Sequence, residues 1–164
     1  LRVSLYAKTI IKNENLGQEL INNSMMAGLL HDLGKLILAT NFENPYRQVL
    51  AAAQGTRKNL LDLDYEAFGT SHAEIGAYLM GLWRLDNSII EAIAFHHLPA
   101  RSMTQNIGLL TTVHVANALD HEMRTPAGEN TKLQCDTEYL DKLEITSRIP
   151  QWRQVCKELT ERNG

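Results

Sequence analysis

Five residues of this chain carry side chains suited to a metal ion, and they fall in three places: the adjacent pair His31-Asp32, then His72, then the doublet His96-His97. Four imidazoles and one carboxylate are the nitrogen and oxygen donors that iron, manganese, zinc or nickel accept, and a carboxylate also admits magnesium. Adjacent residues on a helix point roughly 100° apart, so both members of a pair reach one ion most easily at a helix end, where the backbone turns. Both pairs are expected there. The apolar run Ala27-Gly-Leu-Leu30 leads into His31-Asp32, and Ile89-Ile-Glu-Ala-Ile-Ala-Phe95 leads into His96-His97. A helix C-terminus presents unpaired carbonyls with partial negative charge, which favours a cation nearby.

Each of these residues also has an ordinary explanation. His31, with Leu29, Leu30 and Leu33 around it, could be a core histidine paired with Asp32 or a carbonyl. His72 could simply open its helix, and His96 and His97 could cap helix-end carbonyls. Their co-occurrence favours a site. On the helix that follows, His114 is expected to pack or hydrogen-bond internally and His121 to lie on the surface, while Asp120 could in principle reach a metal.

The elements that must position these groups read as helices throughout. Apolar residues recur at helical spacing, and strand-like alternation never persists, so the fold class is all-α. An opening helix carries Val3, Leu5, Tyr6, Ile10 and Ile11 with no capping residue before it, which suggests that the chain is the C-terminal part of a longer one. Breaks are expected at Asn13 to Gly17 and again at Asn22 to Ser24. A helix then runs into the His-Asp pair, with Gly34 as its stop. Pro45 opens a helix that ends at Gly55; residues 57–59 form a polar connection before Leu60. Thr70 or Ser71 as cap, with Glu74 as the return partner, predicts a capping box for a helix over 72–83 that turns Ile75, Leu79, Leu82 and Trp83 to one face, while Gly76, Ala77 and Gly81 allow a close neighbour. Asn87 or Ser88 caps the next helix. The longest is expected from about Thr104 to Met123, followed by a polar loop at Pro126 to Lys132 and two short helices at 137–143 and 150–159. Trp83, Trp152, Tyr78 and Phe95 read as core or interface, and Glu14, Glu43 and Glu66 as solvated.

Composition bounds the partners. With 164 residues, 44% apolar and 21% charged, the chain suits one globular unit, and a net charge of −3 leaves no electrostatic footprint for a nucleic-acid backbone. Cys135 and Cys156 are too few for a disulfide framework, no run is long enough to span a membrane, and no signal peptide is recognisable; a cytoplasmic protein is expected.

The order His-Asp, His-x-x-x-Gly, His-His, then a helix with Val115-Ala-Asn117 resembles the HD superfamily of metal-dependent phosphohydrolases. More narrowly it is similar to the HDOD branch, the HD-related output domain of bacterial signalling proteins. The resemblance is carried by residues 27–38, 68–79, Leu82-Trp83, 91–97 and 113–119. It implies an HD-superfamily helical bundle forming a single domain over 1–164, with 124–164 as a C-terminal helical extension. It also implies His31, Asp32, His72, His96 and His97 as metal ligands, Asp32 and Lys35 as the catalytic pair if the domain is an enzyme, and no cofactor or one divalent metal. The implied partner is an upstream receiver domain or another signalling protein, with a nucleotide as a possible ligand. In the active phosphodiesterase branch a first-helix His and a late Asp complete a site of two or more metals, and Lys35 looks toward substrate phosphate. Here Val3 stands at the first of those positions and Asn117 at the second. Neither is a good ligand. The Gly-Tyr-Pro element expected after the doublet is replaced by Leu98-Pro-Ala-Arg-Ser102. The implied function is a signalling output domain that has lost catalysis, with a metal-dependent phosphohydrolase or cyclic-nucleotide phosphodiesterase as the alternative.

Overall fold

A computed structural model describes residues 1–56, 58–104, 106–124 and 133–163. Among them the regular elements are helices: α1 (Arg2–Asn13), α2 (Gln18–Leu30), α3 (Leu33–Asn41), α4 (Glu43–Gly55), α5 (Leu60–Phe68), α6 (His72–Leu82), α7 (Asn87–Phe95), α8 (Leu109–Arg124), α9 (Thr137–Lys142) and α10 (Ile149–Asn163), with 3-10 turns at Pro99–Arg101 and Thr146–Arg148. The polar loop expected at Pro126 to Lys132 lies outside the described residues, as does Arg57. No helix among the described residues is long and apolar enough to cross a membrane.

One large core joins α1, α2, α6, α7 and α8 to the C-terminal helices. Tyr6, Ile10, Met80, Ile93, Val113, Leu119, Leu140 and Trp152 are all sealed within it. A buried side chain of this size contributes about 1.5 to 3 kcal/mol over an exposed one, so this cluster is what fixes the bundle. Trp152 keeps its indole N–H satisfied by donating to Glu14 Oε1 at 2.8 Å, and Arg148 also pairs with Glu14. Glu14 is therefore partly buried, with its carboxylate partnered, not solvated. A smaller core of Leu38, Tyr46, Val49 and Leu63 packs α3, α4 and α5 together. Cys135 and Cys156 are free thiols, and burial pushes that of Cys156 up to about 12.

Several boundaries differ from expectation for physical reasons. Helix α2 runs unbroken through Asn22 to Ser24, because Ser24 turns its hydroxyl onto Ile21 O at 2.8 Å and is buried. Gly34 does not stop a helix; it sits in the first turn of α3, where an added Cβ would lie 1.8 Å from the His72 carbonyl oxygen. The glycine is there so that α3 and α6 can touch backbone to backbone. That contact also decides the face of α6. Its buried side is the small-residue one, His72, Ala73, Gly76, Ala77 and Met80, while Leu82 and Trp83 are exposed at 62% and 61% and Tyr78 at 71%. Gly81 has no close neighbour. The capping box of Ser71 and Glu74 is present, α4 opens at Glu43 with Pro45 in its first turn, Asp86 takes the cap position of α7, and α8 begins at Leu109.

Candidate metal centre

The packing of α3 against α6 at Gly34 brings three helix ends together. His31 is the C-cap of α2 and Asp32 the N-cap of α3, so the pair forms the elbow between two helices. His72 is the first residue of α6, and His96 is the C-cap of α7, with His97 directly after it. One ligand atom from each of Asp32, His72, His96 and His97 lies within 4.8 Å of the others. His31 is adjacent, its Nε2 3.3 Å from Asp32 Oδ2, but falls outside that close group.

The imidazoles are fixed from behind. His31 Nδ1 donates to Gly28 O at 2.9 Å and His96 Nδ1 to Ile93 O at 2.7 Å, each satisfying a carbonyl that the end of its helix leaves unpaired. The capping explanation and the ligand explanation thus describe the two nitrogens of one ring. With Nδ1 carrying the proton, Nε2 offers a lone pair to the interior. His72 is held by a fully buried carboxylate: Asp64 Oδ2 accepts from His72 Nδ1 in a very short hydrogen bond and from the His72 backbone N–H at 3.0 Å. Carboxylates and carbonyls behind metal-binding imidazoles commonly set tautomer and ring orientation in this way.

Asp64 is the residue that sequence reasoning missed. Its signal was present: between Leu60, Leu61 and Leu63 on one side and Phe68 on the other, it falls on the apolar face of α5, where a carboxylate is costly unless paired.

Three buried polar atoms at this point have no hydrogen-bond partner among the described residues: His31 Nε2, Asp32 Oδ1 and His96 Nε2. Orphaned buried acceptors are rare, and Asp32 Oδ1 and His96 Nε2, both from residues of the close group, fit a metal site. Asp32 Oδ1 looks toward His72 Nε2 at 3.6 Å and His96 Nε2 at 3.8 Å, whereas Oδ2 faces His31 and accepts from Lys35 Nζ at 2.7 Å. His72 and His97 meet Nε2 to Nε2 at 3.0 Å. Burial works to raise the Asp32 carboxyl, but the close approach of His31, then Lys35 and His96, overcomes it and holds the group well below the usual carboxylate range. Burial first, then the neighbouring imidazoles, holds His96 well below its ordinary value and pushes His97 down to about 3. His96 and His97 are therefore neutral rings beside an ionised Asp32 carboxylate, the protonation state that a cation requires.

The remaining candidates are placed elsewhere. Val3 is buried in the main core. Asn117 lines a small cavity of about 60 Å³ with His96, His97, His114 and His121. His114 is bonded internally, donating from Nδ1 to His96 O at 2.7 Å and accepting the Asp136 N–H at 2.9 Å. His121 is exposed. Asp120 does not reach the cluster: Arg2 and Arg124 each hold one of its oxygens at 2.6 Å. A larger cleft of about 490 Å³ opens beside His97 and Lys35, with Lys58, Leu60 and Leu61 on its walls.

Three comparisons accord with this arrangement. In overall fold the chain resembles a crystal structure of a candidate phosphohydrolase from Shewanella amazonensis SB2B, with a TM-score of 0.74 at 17% identity, covering 96% of this chain and 56% of that one. An uncharacterized protein of Treponema pallidum (strain Nichols) is 32% identical over 102 residues, which is 61% of this chain and 20% of that relative. The chain thus spans a fifth of one relative and little more than half of the other. The HDOD domain model matches residues 1–99, a stretch that includes His31, Asp32, Asp64, His72, His96 and His97. With more than half of its length so matched, the chain belongs to the HDOD domain family.

Proposed function

We propose that this domain is a regulatory output module of a cytoplasmic signalling protein, in which Asp32, His72, His96 and His97 hold one divalent cation and phosphodiester hydrolysis has been lost. The observation that carries the reading is the inequality of the two Asp32 oxygens. Oδ1 faces His72 and His96 with no competing donor, while Oδ2 is taken by the Lys35 ammonium. The other positions that would complete a second ion are an apolar core residue, Val3, and a neutral amide, Asn117. A divalent ion held on the Oδ1 side would supply Lewis acidity toward a phosphoryl oxygen, but hydrolysis of the bridged-ion kind needs two ions to clamp the attacking and leaving oxygens.

The chain's own residues do the rest. Asp64 and the carbonyls of Gly28 and Ile93 keep the Nε2 atoms inward, and Gly34 holds the two helix ends close enough to share a ligand. We further propose that residues 1–164 act as one domain, supported by a core in which Val3, Ile93 and Trp152 belong to the same cluster. An upstream receiver domain is the proposed source of input, and contacts with a partner are the proposed output.

The cleft of about 490 Å³ favours a second reading, a phosphohydrolase or a nucleotide-binding site, because its volume suits a small molecule and His97 and Lys35 lie on its wall. Turnover of a generic phosphodiester with added Mn²⁺ or Fe²⁺ separates the two. No turnover by a protein that binds cobalt(II) supports the regulatory reading; turnover that disappears in Asp32→Ala overturns it. Thermal stabilisation across a nucleotide panel tests for binding without cleavage.

A further inference from the structure

Lys35 is placed against the ordinary preference of a helix. It lies in the first turn of α3, where the macrodipole disfavours a cation, and that turn holds no acidic residue of its own beyond the cap, Asp32. Its ammonium does not extend into solvent. It reaches back to Asp32 Oδ2 at 2.7 Å, with its side chain 26% exposed, on the side of the carboxylate that also meets His31 Nε2. Asp32 therefore has two separate faces, one open to a cation and one already in contact with a positive charge. Lys58, the other lysine on the same cleft, is turned outward onto Glu66 at 2.7 Å.

We propose that Lys35 is a tethered substitute for a second ion: its ammonium satisfies Asp32 Oδ2 and sets the stoichiometry of the centre at one. This rests on the reading that the Oδ1 side takes a cation. The charge is needed because a half-buried carboxylate with one oxygen committed to a metal still has lone pairs to satisfy on the other, and Val3 and Asn117 bring no anionic or imidazole donor to help a second ion. An ammonium supplies the positive charge without needing a coordination shell. It also repels any divalent ion that approaches Oδ2 and weakens, through the shared carboxylate, the ion held at Oδ1.

Titration of tag-free protein with cobalt(II), followed by calorimetry and by the d–d absorbance of the bound ion, tests this. The wild-type chain saturates at one equivalent. Lys35→Glu places a carboxylate beside His31 and Asp32 Oδ2 in a helix position that suits an acid, and it saturates at two. Lys35→Met keeps a side chain of similar length without charge and provides a second route if the glutamate variant does not fold. It binds the first ion at least about tenfold more tightly than wild type. Lys58→Met, with the same loss of charge in the same cleft, stays within twofold.

One equivalent in both wild type and Lys35→Glu overturns the proposal, as does an unchanged affinity in Lys35→Met or an equal gain in Lys58→Met. Two equivalents in wild type also overturn it. A wild-type chain that takes no cobalt at all overturns instead the reading on which the proposal rests.

Discussion

The two sides of Asp32 differ in what stands behind them. On the Oδ1 side His72 and His96 are anchored through their outer nitrogens, by Asp64 and by Ile93 O, so their inner nitrogens are oriented before any ligand arrives. On the Oδ2 side His31 is anchored in this way and the Lys35 ammonium holds the oxygen, whereas Val3 is sealed in the main core and Asn117 lines the small cavity beside His96 and His97. The contrast teaches that one carboxylate can turn one oxygen toward fixed imidazoles while its other oxygen is held by an ammonium. The anchored half also caps helix ends, so its residues serve folding as well as binding.

Substitution at Gly34 should break both sides at once. A Cβ there meets the His72 carbonyl oxygen at 1.8 Å, a backbone atom that cannot swing away, so Gly34→Ala should cost about 3 kcal/mol or more and lower the melting temperature by roughly 6 to 12 °C. A melting curve within 2 °C of wild type would show that the α3–α6 approach is not as close as described. Next, the sides should respond unequally. His96→Ala should weaken cobalt(II) binding more than about 100-fold and His31→Ala less than about 10-fold; equal losses would erase the distinction between them. Asp64→Asn, which removes the charge behind His72 and keeps its shape, should reduce affinity about 10- to 100-fold, and an unchanged affinity would make Asp64 a purely structural residue.

The smallest effect is on pH dependence. Burial, followed by the nearby imidazoles, depresses His96 and His97 in the folded state, the latter to about 3, so the unfolded chain takes up protons first as pH falls. Their contribution to stability is whole above about pH 6.5 and is lost on acidification toward about 3, with a slope of up to about 1.4 kcal/mol per pH unit per group. Asp32, depressed as well, adds its loss only below about pH 4. Urea midpoints of the metal-free protein should fall between pH 7.5 and 5, and less steeply in His97→Gln. A flat profile would mean that these imidazoles are not buried as neutral rings.

What was legible in the sequence were features whose several uses all require the same place, a helix end. A His-Asp pair or a His doublet ending an apolar helix, and a Ser followed three residues later by a Glu, each led to the right place. Features whose uses require different places were misread. Gly34 can end a helix or permit close approach, and only the position of His72 decides between them. The apolar residues of α6 suggested a core face made of Leu82 and Trp83, but backbone contact with α3 requires small residues there and turns the large ones outward. Asp120 has a local partner in Arg124, four residues on, but the arginine that takes its second oxygen is Arg2, at the other end of the chain, which no local pattern reveals. Asp64 was readable as a carboxylate on an apolar face, a pattern that asks for a buried partner.

The most direct test of the one-sided centre is to locate ions in crystals soaked in Mn²⁺, using anomalous scattering. The account predicts one peak, shared by Asp32 Oδ1, His72, His96 and His97, with Lys35 still on Oδ2. Two peaks joined through Asp32, with Lys35 displaced, would contradict it.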